Sequence, residues 1–250
     1  MKPNFSTHCY IYAHRGARSE AADNTRQAFE KALAYPIDGV ETDVQLTKDE
    51  VSVLWHDRFL DKLGYPGKRI DDFTFAELKQ FNFAAYYAGA EPEGVLSLQE
   101  FVDLYRGSCK LQIEIKNRDW EDMRRHQIKV QQCLEILGST RNLDVFISSF
   151  NLNSLQYAHQ LGTLIALVYA VNESDDIAYI KTTFSENKFL AGICQPIATL
   201  NEDLVNFLRG HNKLIVTYTC NTRLEIQKAL DLEVDILITD DPVTALQMRG

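Results

Sequence analysis

The chain has 250 residues, 45% of them hydrophobic and 24% charged, with a formal net charge of -9. That is ample apolar material for one large core or two modest ones, with no need of a disulfide or structural metal. The acidic balance argues against a general binder of nucleic acid or anionic membranes, which attract basic surfaces, while a local cation or metal still admits a small anionic substrate.

The first β-rich run is CYIYAH (9–14), followed directly by Arg15 and Gly16 and then by an amphipathic segment at 24–34. The residues before it lack the apolar run and cleavage site of a signal peptide, so none is expected. The second run, GVETDVQL (39–46), carries Glu41 and Asp43 two apart, on one face of a strand. The third, VSVLWHD (51–57), follows after only Thr47 to Glu50, too few residues for a helical crossover. It is predicted to return as a hairpin arm that ends in His56 and Asp57. Residues 58–96 then break the rhythm with Gly64, Pro66, Gly67, Gly89, Pro92 and Gly94 around one helical piece, FTFAELKQF. Stretches this long are unusual unless functional, so 58–96 reads as an insertion at the mouth of the fold.

Beyond it the alternation is regular. Strand-like runs fall at 110–116, 144–150, 164–170, 188–195, 213–220 and 235–240, with amphipathic segments at 97–106, 121–137, 151–161, 174–184, 201–210 and 222–231. Strand–helix alternation predicts right-handed βαβ units and a parallel sheet. With 51–57 set aside as the hairpin arm, eight strands remain, and that number in a chain of this size predicts a (β/α)8 TIM barrel. No repeat or linker marks a boundary, so the expectation is one domain over 1–250. No stretch approaches the roughly 18 apolar residues of a membrane span. Five scattered cysteines without a C-x-x-C pair read as reduced thiols of a cytoplasmic protein.

In such a barrel the site lies where the strands end. His14 and Arg15 end the first strand, Glu41 and Asp43 lie on the second, His56 ends the hairpin arm, and Glu114 and Lys116 lie two apart on the next strand. Three converging carboxylates would repel one another unless a divalent ion sat among them. Their oxygen donors suit Mg2+, Ca2+ or Mn2+ better than zinc. Arg15 and Lys116 could hold phosphate charge, and the two imidazoles could transfer protons. A strand-end histidine or an E-x-D pair is more often structural when it stands alone. What favours chemistry is that every polar set falls at the same strand end beside an irregular insertion.

These residues resemble the glycerophosphodiester phosphodiesterase family of the bacterial cytoplasmic type. The chain reads AHRGA (13–17), AADNT (21–25), GVETDVQLTKDE (39–50), LWHD (54–57) and IEIK (113–116), and later ISSFN (147–151), VTYTCN (216–221) and ILITDDP (236–242), in the family's order and spacing. The resemblance implies His14 and His56 as the general acid/base pair, Glu41, Asp43 and Glu114 as metal ligands, and Arg15 and Lys116 on the phosphate. It implies Mg2+ or Ca2+ as cofactor and release of sn-glycerol 3-phosphate plus an alcohol, by attack of the neighbouring glycerol hydroxyl and opening of a cyclic phosphate by water. It places the chain in lipid and glycerol metabolism.

Two departures stand out. The family's P-E-N-T is here A-D-N-T, leaving Asp23 as an expected cap for the first helix. The family's W-T-V-N is here Y-T-C-N, so Tyr218 replaces an aromatic of the glycerol pocket, with Phe150 as a further candidate for its wall. Asp240 and Asp241 read as a strand-to-helix turn, Gln195 as a strand-end residue facing the pocket, Trp120 as packing at a helix start, and His8, His126, His159 and His211 as surface residues. The expected partner is a small glycerophosphodiester, with no nucleic acid and no stable membrane insertion, and a homodimer stays open. Phe59, Leu60, Leu63, Phe73, Phe75, Phe81, Phe83, Tyr86 and Tyr87 in the insertion keep a lysophospholipase D alternative in play, and a catalytically silent phosphate-binding barrel is the other.

Overall fold

The computed structural model describes residues 8–139 and 143–250. The opening residues on which the expected absence of a signal peptide rests lie outside them. Nine strands form one sheet: Tyr10–His14 (β1), Gly39–Leu46 (β2), Ser52–Leu54 (β3), Lys110–Ile115 (β4), Val145–Ser149 (β5), Ala166–Ala170 (β6), Gly192–Pro196 (β7), Leu214–Tyr218 (β8) and Ile236–Thr239 (β9). Eight of them are parallel. β1 pairs with both β2 and β9, which closes the barrel, while β3 pairs antiparallel with β2. The (β/α)8 barrel and its hairpin arm are thus as the alternation predicts.

The strands read as apolar because both faces are covered. Tyr12, Phe146, Val168, Cys194, Val216 and Ile238 point inward and fill the barrel. Alternate residues such as Ile11, Val40, Ile113 and Ile193 point outward and pack under the helices. Those are Arg26–Leu33 (α1), Leu98–Tyr105 (α3), Met123–Leu137 (α4), Leu152–Gln160 (α5), Ile177–Glu186 (α6), Glu202–Gly210 (α7), Arg223–Asp231 (α8) and Pro242–Arg249 (α9), with the single turn Phe75–Leu78 (α2) between β3 and α3. Each of the eight longer helices starts on a Ser, Thr, Asp or Asn whose side chain accepts a backbone N–H of its first turn.

Several boundaries shift, the hairpin arm β3 ending at Leu54 and not at 57. α6 begins at Ile177 because Asp176 caps it, and β7 pairs only from Gly192, not from 188. At Gly192 a Cβ would stand 2.3 Å from the Leu214 carbonyl oxygen, so only glycine admits this approach of β7 to β8.

Residues 58–96 hold two 3-10 turns, Asp61–Leu63 and Ile70–Asp72, and α2. Leu60, Leu63, Ile70, Leu78 and Phe83 form a cluster of their own against Val53 and Trp55, with Phe73, Phe75, Phe81 and Tyr86 packed on it. Most of the aromatic residues that the sequence offers for an apolar groove are therefore committed to this cluster. Phe59 stacks on Trp120, with ring centroids 6.5 Å apart. No helix among the described residues is long and apolar enough to cross a membrane.

Candidate active site

Barrel register decides which polar residues meet. His14 lies opposite Glu41 across β1 and β2, and Asp43 lies opposite Glu114 across β2 and β4. One carboxylate oxygen from each of Glu41, Asp43 and Glu114 falls within 4.8 Å of the others. Glu41 and Asp43 are only 2% and 1% exposed, so water does little to screen them. Lys116 Nζ stands between two of the acids, 3.0 Å from Asp43 Oδ1 and 2.5 Å from Glu114 Oε1. Arg15 Nε is 3.0 Å from Asp43 Oδ2.

These contacts set the charge states. Burial pushes the Glu41 carboxyl well above its usual range, and the neighbouring Asp43 and Glu114 push it further. Burial works the same way on Asp43, but Lys116 and Arg15 overcome it and hold that group well below its range. Two cations thus serve Asp43 while Glu41 Oε2 is buried without a hydrogen-bond partner, its nearest cation-forming group being His14 Nε2 at 3.9 Å. A buried, all-oxygen donor set with one such orphaned oxygen fits a hard divalent cation.

His14 follows a different logic. Burial, then Arg15 beside it, push its imidazole down from 6.5 to about 4, although Asp240 pulls the other way. The ring is neutral at neutral pH. Its Nδ1 lies 2.6 Å from Asp240 Oδ1. A carboxylate can only accept, so the ring proton sits on Nδ1 and Nε2 is left as an acceptor. Asp240 is steadied in turn by Asn221 Nδ2 at 2.7 Å.

Tight backbone geometry places this histidine. The turn after β1 puts Arg15 at φ 58° and Gly16 at φ 87°. A Cβ on Gly16 would stand 2.6 Å from the Ala28 backbone. Gly16→Ala is therefore expected to cost about 1–3 kcal/mol of folding stability, to be read from denaturant melts. A variant as stable as the parent would show that this turn is not under such constraint.

Asp23, Asn24 and Thr25 divide three tasks. Thr25, not Asp23, caps α1. Asn24 donates to Asp43 Oδ2 at 3.0 Å and accepts from Thr42. Asp23 is buried and bound by Arg15 at 3.3 Å, by Lys62 at 2.8 Å and by the Tyr86 hydroxyl. The expected capping role of Asp23 is wrong because the helix starts two residues later, where a hydroxyl reaches the Ala28 amide.

His56 closes the opposite wall. Its Nδ1 lies 2.9 Å from Asp57 Oδ1, and Asp57 Oδ2 lies 3.1 Å from Lys62 of the 58–96 stretch. His14, Arg15, Glu41, His56, Glu114, Lys116, Phe150 and Tyr218 all line one cavity of about 120 Å³, with Gln112 and Cys194 in its wall. The rings of Phe150 and Tyr218 meet edge to face, 6.2 Å apart, and the Tyr218 hydroxyl is engaged by the Val171 carbonyl at 2.7 Å. All nine predicted site residues are therefore brought together.

The model of the glycerophosphoryl diester phosphodiesterase family covers residues 14–244. The chain belongs to the glycerophosphoryl diester phosphodiesterase family. It is a hydrolytic enzyme, a phosphoric diester hydrolase. It is 30% identical to a glycerophosphodiester phosphodiesterase of Bacillus altitudinis, over 96% of this chain and 97% of the relative. A solved glycerophosphodiester phosphodiesterase of Thermotoga maritima superposes with a TM-score of 0.77 at 26% identity, covering 96% of this chain and 98% of that one. A phosphodiesterase of Oleispira antarctica, solved with the product sn-glycerol 3-phosphate, shares the fold with a TM-score of 0.81 at 23% identity, over 96% of each chain.

Three sequence readings change, those of Asp240, Gln195 and His126. Asp240 does more than mark a turn: Asp241 caps α9, while Asp240 turns inward to His14. The signal was present, since Ile236, Ile238 and Asp240 alternate onto one face. Gln195 points away from the cavity and bonds Thr199 at 2.6 Å, while its neighbour Cys194 faces in. Trp120, two residues before the α4 cap Asp122, packs on Phe59 and donates to Asp71 at 2.9 Å. Among the four histidines read as surface residues, His8, His159 and His211 are exposed, but His126 is half-buried, 3.5 Å from Glu121.

Proposed function

We propose that the enzyme hydrolyses small glycerophosphodiesters to sn-glycerol 3-phosphate and an alcohol, with Glu41, Asp43 and Glu114 holding a divalent cation and His14 and His56 moving the protons. The single observation that carries this reading is the orphaned oxygen of Glu41 in a three-carboxylate cluster walled by two imidazoles. The product seen with the Oleispira antarctica protein supports the choice of phosphoglycerol. When bound, Mg2+, Ca2+ or Mn2+ would supply Lewis-acid polarisation of a phosphoryl oxygen.

The side chains supply the rest. His14, neutral and with Nε2 open, takes the proton of the neighbouring glycerol hydroxyl as its oxygen attacks phosphorus, and Asp240 holds the ring and steadies the imidazolium that forms. His56 gives a proton to the departing alcohol oxygen as its bond to phosphorus breaks, with Asp57 fixing the ring through Nδ1. Water then opens the cyclic phosphate, and the glycerol oxygen regains a proton as its new bond to phosphorus breaks. Arg15 and Lys116 line the same cavity and balance the phosphate charge. Phe150 and Tyr218 offer apolar ring surface to the glycerol carbons. The 58–96 stretch serves as an insertion beside the mouth of a single catalytic domain spanning 1–250. Its Lys62 and Tyr86 reach the Asp23 and Asp57 carboxylates, which supports that placement. The lysophospholipase D alternative loses its main support, because most of the insertion's aromatic residues pack among themselves.

The first test is product formation. Purified enzyme with Mg2+, Ca2+ or Mn2+ is expected to release sn-glycerol 3-phosphate from glycerophosphocholine or glycerophosphoethanolamine. Failure with all three cations would favour the silent phosphate-binding barrel. A second test is the His14 titration. The imidazole of metal-free enzyme is expected to titrate near 4, where an unfolded chain titrates near 6.5. The sign follows from linkage: the neutral ring favours the fold fully above the unfolded value, and that contribution is lost as pH falls towards 4. NMR of the labelled ring reports it, and titration at or above 6.5 would contradict the buried, neutral base.

A further inference from the structure

Past β3 the chain leaves the ladder. The Trp55 amide still donates to the Asp43 carbonyl at 3.0 Å, but the carbonyls of Trp55, His56 and Asp57 have no strand beside them. Backbone carbonyls in a partly buried segment need donors. Two side chains supply them. Gln45 Nε2 donates to the Trp55 carbonyl at 2.8 Å and to the Asp57 carbonyl at 2.9 Å. Arg118 Nη2 donates to the His56 carbonyl and, at 3.2 Å, to that of Asp57. Arg118 Nε also lies 3.5 Å from Gln45 Oε1, so the two donors are joined.

The placement of these donors is telling. Gln45 is buried on the same face of β2 as Glu41 and Asp43, one step nearer the strand end. Arg118 follows β4, which carries Glu114. The backbone on both sides of His56 is thus tied to the two strands that carry the acidic cluster, while Asp57 fixes the ring itself. We infer that Gln45 and Arg118 are positioning residues that hold His56 at the distance needed to protonate the leaving alcohol. This rests on the assignment of His56 as the acid proposed above.

A displacement of about 1 Å at a reacting group can cost on the order of 100-fold in rate. Gln45→Leu and Arg118→Met are therefore expected to lower kcat on glycerophosphoethanolamine about 100-fold, with KM and cation affinity little changed and the fold retained by circular dichroism. The decisive readout is the leaving group. The 4-nitrophenyl ester of glycerol 3-phosphate departs without needing a proton, so both variants should recover most of their rate on it, as should His56→Ala. Arg118→Lys, which retains one donor head, should fall between parent and Arg118→Met. Gln45→Asn serves where Leu does not fold, since the shorter amide cannot span both carbonyls.

Equal losses on both esters in the Gln45 and Arg118 variants, beside a selective loss in His56→Ala, would overturn the clamp and leave the acid assignment standing. Equal losses in His56→Ala as well would remove the acid assignment, and the clamp's role with it.

Discussion

Alanine in place of His14 or His56 is expected to lower kcat by roughly 10^2–10^4-fold, the range usual for loss of a general acid or base. The two variants should differ in another respect. His14 is buried and bound to Asp240, so its loss leaves a cavity and a carboxylate deprived of its closest donor. His56 is partly exposed, so its loss should disturb folding less. Circular dichroism and melting curves separate instability from lost chemistry. Asp240→Asn refines the assignment: an amide can present its NH2 to Nδ1, moving the ring proton to Nε2 and blocking the base. That variant should lose about 10^2-fold or more in kcat with a smaller change in KM. A parental rate on glycerophosphoethanolamine, whose alcohol needs a proton to leave, would remove that residue from the mechanism in either histidine variant.

Removal of the divalent ion should have an effect as large. Activity is expected to disappear in excess chelator and to return with Mg2+, Ca2+ or Mn2+. Full activity after verified metal removal would contradict the carboxylate site. Glu41→Gln tests the same site without reference to turnover. Glu41 gains nothing from Lys116 or Arg15 comparable to what Asp43 gains, and burial and its acidic neighbours oppose its charge. An amide there should weaken cation binding, measured by calorimetry, by at least about 10–100-fold. The same change should raise the melting temperature of the metal-free protein, because a disfavoured buried carboxylate is gone. A fall in that temperature would mean that Glu41 stabilises the fold by itself, which would argue against a ligand role.

Much of this site is legible along the chain because a β-strand has a period of two. Glu41 with Asp43, and Glu114 with Lys116, declare a shared face by spacing alone. Four residues between two apolar runs are enough to require a hairpin, and β3 is antiparallel for that reason. The places where local reading falls short involve choices between neighbours. Gln195 and Cys194 differ by one position, and the apolar context of β7 does not say which faces in. Asp23 and Thr25 can each cap a helix, and the capping role falls to Thr25 because Arg15, Lys62 and Tyr86 claim Asp23 from three distant segments.

The sequence by itself determined the barrel, the hairpin arm and the nine candidate residues of the site, since periodicity and loop length are local properties of the chain. Only the tertiary structure decided who partners whom. Asp240 meets His14 because β9 pairs with β1 and closes the barrel, a contact across 226 positions that no local pattern encodes. Likewise Gln45 and Arg118 converge on the carbonyls around His56 only once β2 and β4 lie side by side.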